Sequence, residues 1–168
     1  NNVMKETVLS YKDSFDQIVF GAPLLAASDD ETHAIAAVTS EFKNLKATDA
    51  LVLMGHGTTH QINTAYSELD RHFKSLVFIG TVEADPTIQD LVQEVTEFHP
   101  TAIYLTPFMI VAGDHAHHDM AGNSPDSWVG QFHAAGFEVC PVIKGLGEYA
   151  GIRAIFIEHI KKAISMLH

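Results

Sequence analysis

Short, almost wholly apolar segments recur along the 168-residue chain, and each is followed by apolar residues at helical spacing. Ile18-Val19-Phe20, Ala50 to Met54, Leu76 to Gly80, Ala102 to Leu105 and Phe137 to Ile143 read as five strands. The fourth is expected to run on through Pro107 into Phe108-Met109-Ile110-Val111. Between them lie helical stripes. Ala34, Val38, Phe42 and Leu45 follow a capping box at Ser28 to Glu31. Ile62, Ala65, Tyr66, Leu69 and Phe73 make the next, and Ile88, Leu91, Val92 and Val95 follow a cap and first-turn proline at Asp85-Pro86. Ser124-Pro125 opens a helix through Trp128 and Phe132, stopped by Gly136. Ile152, Ile155, Phe156, Ile160, Ala163, Ile164 and Leu167 form the last stripe. A strand apolar on both faces must be covered on both faces, and the following helices supply the cover. The expected fold is one α/β domain: a doubly wound, Rossmann or flavodoxin-like parallel sheet with right-handed crossovers. Residues 1–16 read as a short helix ahead of that domain, which would occupy residues 17–168.

Composition removes several classes of function. Ten basic against 21 acidic side chains give a formal charge of −11, unsuited to the phosphates of nucleic acid. The two arginines, Arg71 and Arg153, argue against a bidentate phosphate clamp. No apolar run reaches the roughly 18–20 residues of a membrane span, so no membrane partner is expected. Cys140 is alone, which excludes an intrachain disulfide and a Cys-rich zinc site and fits a reducing, cytoplasmic setting. Gly-x-Ser-x-Gly, Gly-x-Gly-x-x-Gly and Walker-type loops do not occur, which disfavours serine hydrolases and nucleotide binding. A phosphohistidine enzyme at His56 would want arginines nearby, and residue 54 is methionine.

A doubly wound sheet places its ligands beyond the carboxyl ends of its strands. Three such ends carry candidate groups: Met54-Gly55-His56-Gly57, Gly80-Thr81-Val82-Glu83, and Ala112 to Asp119 with His115. Two imidazoles and a carboxylate on one edge suit a divalent first-row metal with coordination positions left open. Each also has a plain structural reading. Gly-His-Gly is a tight turn, Glu83 is a negative charge at a helix N-terminus, and His115 to His118 is a solvated helix face. Asp114 reads as a helix cap, or else as the group that orients a histidine ring. His60, His72, His99, His133, His159 and His168 have no role assigned, and Cys140 reads as core. What favours function is that three signals converge on one edge.

Leu53 to Gly57, Gly80 to Glu83, Thr106 to His115, Asp119-Met120-Ala121 and Asp126-Ser127-Trp128 together resemble the anaerobic cobalt chelatases of cobalamin biosynthesis. Phe20 to Leu25, Gly145 to Glu148 and Ile152-Arg153-Ala154 extend the resemblance over nearly the whole chain. That family comprises sirohydrochlorin cobaltochelatases, relatives of the class II chelatases and ferrochelatase. Its members have two similar α/β domains with the active site between them, and this chain resembles the second. Residues 1–16 would then be the last helix of the first domain.

The resemblance implies a lyase that inserts Co2+ into sirohydrochlorin or a related tetrapyrrole. No organic cofactor is implied; the metal is a substrate, with Fe2+, Ni2+ or Zn2+ as surrogates. By motif the metal set falls on His56, Glu83 and His115. His115 is implied as principal base and ligand, His56 as second ligand or base, and Glu83 as a ligand that offsets the metal's charge. Lys144 and Arg153 are candidates to meet the carboxylates of the tetrapyrrole. A cleft without its other wall would expose apolar surface, so self-association is expected. Two other functions compete: a domain that binds metal or tetrapyrrole without turnover, and a metal-dependent hydrolase using the same residues.

Overall fold

Ala50–Gly55 (β1), Val77–Thr81 (β2) and Ile103–Pro107 (β3) carry the strongest apolar runs, and all three lie side by side in one parallel sheet. A computed structural model describes residues 2–26, 28–57 and 76–167. Its sheet has four strands in the order β2-β1-β3-β4, with Val139–Pro141 as β4. Strand registers pair Gly55 with Thr81 and Met54 with Pro107, so β1, β2 and β3 end flush. The order reverses around β1, whose neighbours are β2 on one side and β3 on the other. A crevice opens at such a point because the loops leaving the two strands diverge.

Alternate residues of β1 feed two cores, as the period of a strand requires. Leu51 and Leu53 pack with Val77 and Ile79 against Ser28–Thr39 (α2) and Ala150–Ile164 (α5), through Ile35, Val38 and Ile152. Ala50, Val52 and Met54 pack with Ile103 and Leu105 against Ile88–Phe98 (α3) and Trp128–Ala134 (α4), through Leu91, Val95, Trp128 and Phe132. Each fully buried aliphatic or aromatic side chain contributes about 1.5–3 kcal/mol, so the two cores hold helices on both faces. The doubly wound parallel sheet expected from the sequence is the architecture observed.

Several local expectations are corrected. Ile18-Val19-Phe20 is half-buried and forms no strand. The run from Phe137 to Ile143 pairs only over Val139–Pro141, and β3 stops at Pro107. Asp85-Pro86 does not cap α3. That peptide is cis, and the helix begins two residues later. There Thr87 and Asp90 form a reciprocal capping box, with Asp90 Oδ2 accepting from Thr87 N–H at 2.9 Å. The Thr87 hydroxyl and backbone amide hold the Asp90 carboxyl below its ordinary value. Ser127, not Ser124, caps α4 by accepting from Gly130 N–H at 3.0 Å. On α5, Ile160, Ile164 and Leu167 are exposed, so the buried stripe is narrower than its spacing suggested. The helix expected within residues 1–16 is Asn2–Leu9 (α1), followed by a 3-10 turn at Lys12–Ser14. The stripe from Ile62 to Phe73, and the histidines His60, His72 and His168, lie outside the described residues. The side chains of Ser28 and Glu31 do as well.

Candidate metal centre

Backbone pairing continues beyond the formal ends of β1 and β2. Val82 N–H donates to Gly55 O, and Glu83 N–H to His56 O, both at 3.0 Å. Glu83 is thereby set beside His56. Gly57 turns the chain away immediately afterwards with φ +82°, where a Cβ would stand 3.0 Å from Ala84 and Thr81. Only glycine has that backbone freedom at no cost, so Gly57 lets the two loops meet. The helix reading of Glu83 does not hold, since α3 is capped by Thr87 and Asp90.

His115 arrives from the other side of the crevice. After β3, Phe108 N–H still donates to Met54 O at 2.7 Å. The chain then crosses the sheet edge, where Leu146 N–H donates to Met109 O at 2.7 Å and Gly147 N–H to Ile110 O at 3.0 Å. Gly145 permits this contact, because a Cβ there would lie 2.7 Å from Ile110 O. His115 opens a π-helical turn, His115–Met120, anchored underneath by buried Ala116 and Met120. Such wide turns are uncommon and concentrate at functional sites.

Three strand ends therefore deliver His56, Glu83 and His115 with one ligand atom each, all within 4.8 Å of one another. No other such group occurs among the described residues. His56 Nδ1 lies 3.5 Å from Glu83 Oε2, and the two histidine rings meet edge to face with centroids 4.8 Å apart. The side chains of His56 and Glu83 are about half exposed, at 50% and 54%. An ion can reach them from solvent, and they can draw in to the bond lengths of about 2.0–2.2 Å that nitrogen and oxygen ligands require. His56 Nδ1 also lies 3.1 Å from Gly57 O. Donation to that carbonyl leaves the Nε2 lone pair for a metal.

His56 and His115 line an open cavity of about 550 Å3, with Glu83 beside His56. Leu24, Phe108, Met109, Ile110, Val111 and Leu146 give it a largely apolar wall. Ile110 and Val111 are well exposed, which is unusual for side chains of this size. Lys144 is elsewhere. Its Nζ lies 3.2 Å from Glu41 Oε2 and 4.2 Å from the Tyr149 ring centroid, in a separate cavity. Arg153 Nη1 donates to Gly147 O at 3.1 Å. Asp114 precedes the π-helical turn but makes no capping bond with its side chain, so that expectation fails. Asp119, which the sequence did not single out chemically, accepts from His115 Nδ1 at 2.5 Å. Cys140 is a free thiol, half-buried on the short β4. His159 is buried, and its Nε2–H donates to Asp30 Oδ1 across α2 and α5 at 3.3 Å.

The family of cobalt chelatases designated CbiK matches residues 1–165. The chain is 37% identical over 155 residues to the sirohydrochlorin cobaltochelatase of Salmonella typhimurium, covering 90% of this chain and 59% of that protein. It is 35% identical over 159 residues to the sirohydrochlorin cobaltochelatase CbiKC of Nitratidesulfovibrio vulgaris, covering 92% and 56%. The chain thus spans less than two thirds of the length of either relative. Among solved structures, a CbiX protein of Marinobacter aquaeolei, described as a putative cobalamin biosynthesis protein, superposes with a TM-score of 0.55 at 15% identity, over 70% of this chain and 98% of that one. The sirohydrochlorin chelatase SirB of Bacillus subtilis, solved in complex with cobalt, gives 0.57 at 15% identity, over 96% and 62%. At that identity the two structures establish a shared fold.

Proposed function

Because the chain belongs to the cobalt chelatase (CbiK) family, we propose that it supplies the metal-holding side of a sirohydrochlorin cobaltochelatase. The reaction is insertion of Co2+ into sirohydrochlorin or a closely related tetrapyrrole. One observation carries the proposal: His56, Glu83 and His115 converge from three strand ends beside an open apolar cavity.

The chemistry sets three demands. The metal must be held by few enough groups to be surrendered to four ring nitrogens, and three ligands with open positions meet this better than a closed four-ligand site. Two pyrrole N–H protons must leave, and an imidazole with an unperturbed pKa of about 6.5 accepts them at neutral pH. The macrocycle must lie flat against something, and the wall of Leu24, Ile110, Val111 and Leu146 offers its faces an apolar surface. In this account His115 is principal base and ligand, His56 is second ligand or base, and Glu83 offsets the metal's charge. Cobalt is the substrate metal, and Fe2+, Ni2+ and Zn2+ are surrogates that the same donors would accept. Nucleic acid and membranes are not partners on this account. The proposed setting is the cytoplasm, whose reducing conditions the free Cys140 fits.

The same donors and cavity would also serve a second function, binding of metal or tetrapyrrole without turnover. An anaerobic insertion assay separates the two, following tetrapyrrole absorbance with and without this chain. Co2+ insertion faster than the uncatalysed rate, lost by at least tenfold in His115→Ala, is the expected result. Binding of both substrates with no gain in rate would leave the non-catalytic function standing.

A further inference from the structure

We infer that Asp119 is a positioning residue: its carboxylate fixes the tautomer and ring orientation of His115, so that Nε2 faces the metal. If His115 ligates the metal, as proposed, one of its nitrogens must present a lone pair, and the other must hold a proton. A carboxylate accepts hydrogen bonds and does not donate them. Asp119 Oδ2 stands 2.5 Å from His115 Nδ1, so Nδ1 carries the proton and Nε2 the lone pair.

The surroundings assign Asp119 to the ring and not to the ion. Its oxygens are absent from the converging ligand set, which contains His56, Glu83 and His115. The ring needs such a partner. Its side chain is 35% exposed, so packing alone does not lock it. Both residues ride on the single turn His115–Met120, where the backbone bond from Ala121 N–H to Ala116 O, at 3.2 Å, spans five residues. The two imidazoles are then held in the same sense, His56 by the backbone carbonyl of Gly57 and His115 by a charged side chain. A carboxylate behind the ring also makes it a stronger donor to the metal.

The test uses the whole chain and the variants Asp119→Ala and Asp119→Asn. Long-range proton–nitrogen correlation spectra of the metal-free protein, recorded at about pH 8, above the unperturbed imidazole value, read the tautomer directly. The signal is assigned by its loss in His115→Ala. The wild type is expected to show His115 as the Nδ1–H form. Asp119→Ala should show the mixed tautomers of an unconstrained ring and bind Co2+ about 10–100-fold more weakly. Asp119→Asn, which keeps an oxygen acceptor without the charge, should retain the Nδ1–H form and recover part of the affinity. Matching far-UV circular dichroism shows that the variants fold, which the half-exposed position of Asp119 leads us to expect. An Nε2–H tautomer in the wild type, or a tautomer and affinity unchanged in Asp119→Ala, overturns the inference. Co2+ binding indifferent to His115→Ala overturns instead the assignment of His115 as a ligand. The tautomer spectrum still decides whether Asp119 orients the ring.

Discussion

Gly57 shows how much of the site depends on backbone at a single residue. With φ at +82° and no room for a Cβ, it lets the loop after β1 pass within contact of Ala84 and Thr81. Glu83 is then held beside His56 by the bond from its own N–H to His56 O. Gly57→Ala is expected to lower stability by about 1 kcal/mol or more, because alanine is strained at positive φ, and to weaken Co2+ binding as the two loops part. Urea denaturation and metal titration of the same variant check both effects. A stable variant with undiminished affinity would show that the two loops need no such contact. Asp119 belongs to the same scale. Its pairing was not legible in the sequence because its spacing from His115 is that of any helical i,i+4 pair. Asp114, next to His115 in the chain, drew attention as a cap that the structure does not form. His56 and Glu83 were legible for a simple reason: each follows a strand whose apolar run is unmistakable.

Among the elements, legibility followed burial. β1 and β2 are buried at every position and β3 at all but Tyr104, so their runs stand out. Ile18-Val19-Phe20 has the same residue types, but they are only half-buried and pair with nothing in the sheet, so composition misled. The wide turn at His115–Met120 has no sequence signature, because a single turn is too short to display a period. Asp85-Pro86 resembles a cap for α3 in sequence, whereas the box in the structure is Thr87 with Asp90. That box is testable. Thr87→Ala is expected to cost about 1 kcal/mol at neutral pH. The Asp90 carboxyl is held below its ordinary 3.8, so it favours the folded state above that value and ceases to do so as pH falls through its lowered pKa. The stability gap between wild type and Thr87→Ala should therefore narrow in acid, as urea midpoints at neutral pH and at about pH 3 would show. A gap that widened in acid would contradict this account of the cap.

At the scale of the molecule, topology and charge pull in different directions. The order β2-β1-β3-β4 opens the crevice that gathers the three donors. The net charge of −11, however, repels an anionic tetrapyrrole at long range. Lys144 is already paired with Glu41 away from the cavity, so it offers no local remedy there. Association of sirohydrochlorin with this chain is expected to speed up with added salt, as screening shortens the reach of the repulsion. Stopped-flow rates across an ionic-strength series test this. A rate that fell with salt would mean that local cations govern the encounter.

On the proposed function, three separated strand ends build one metal site. Anaerobic Co2+ titration followed by visible absorbance tests it most directly, on the chain and on His56→Ala, Glu83→Gln and His115→Ala. One saturable site per chain is expected, weakened at least tenfold by each substitution, with far-UV circular dichroism unchanged. Co2+ binding that all three variants retain would contradict it.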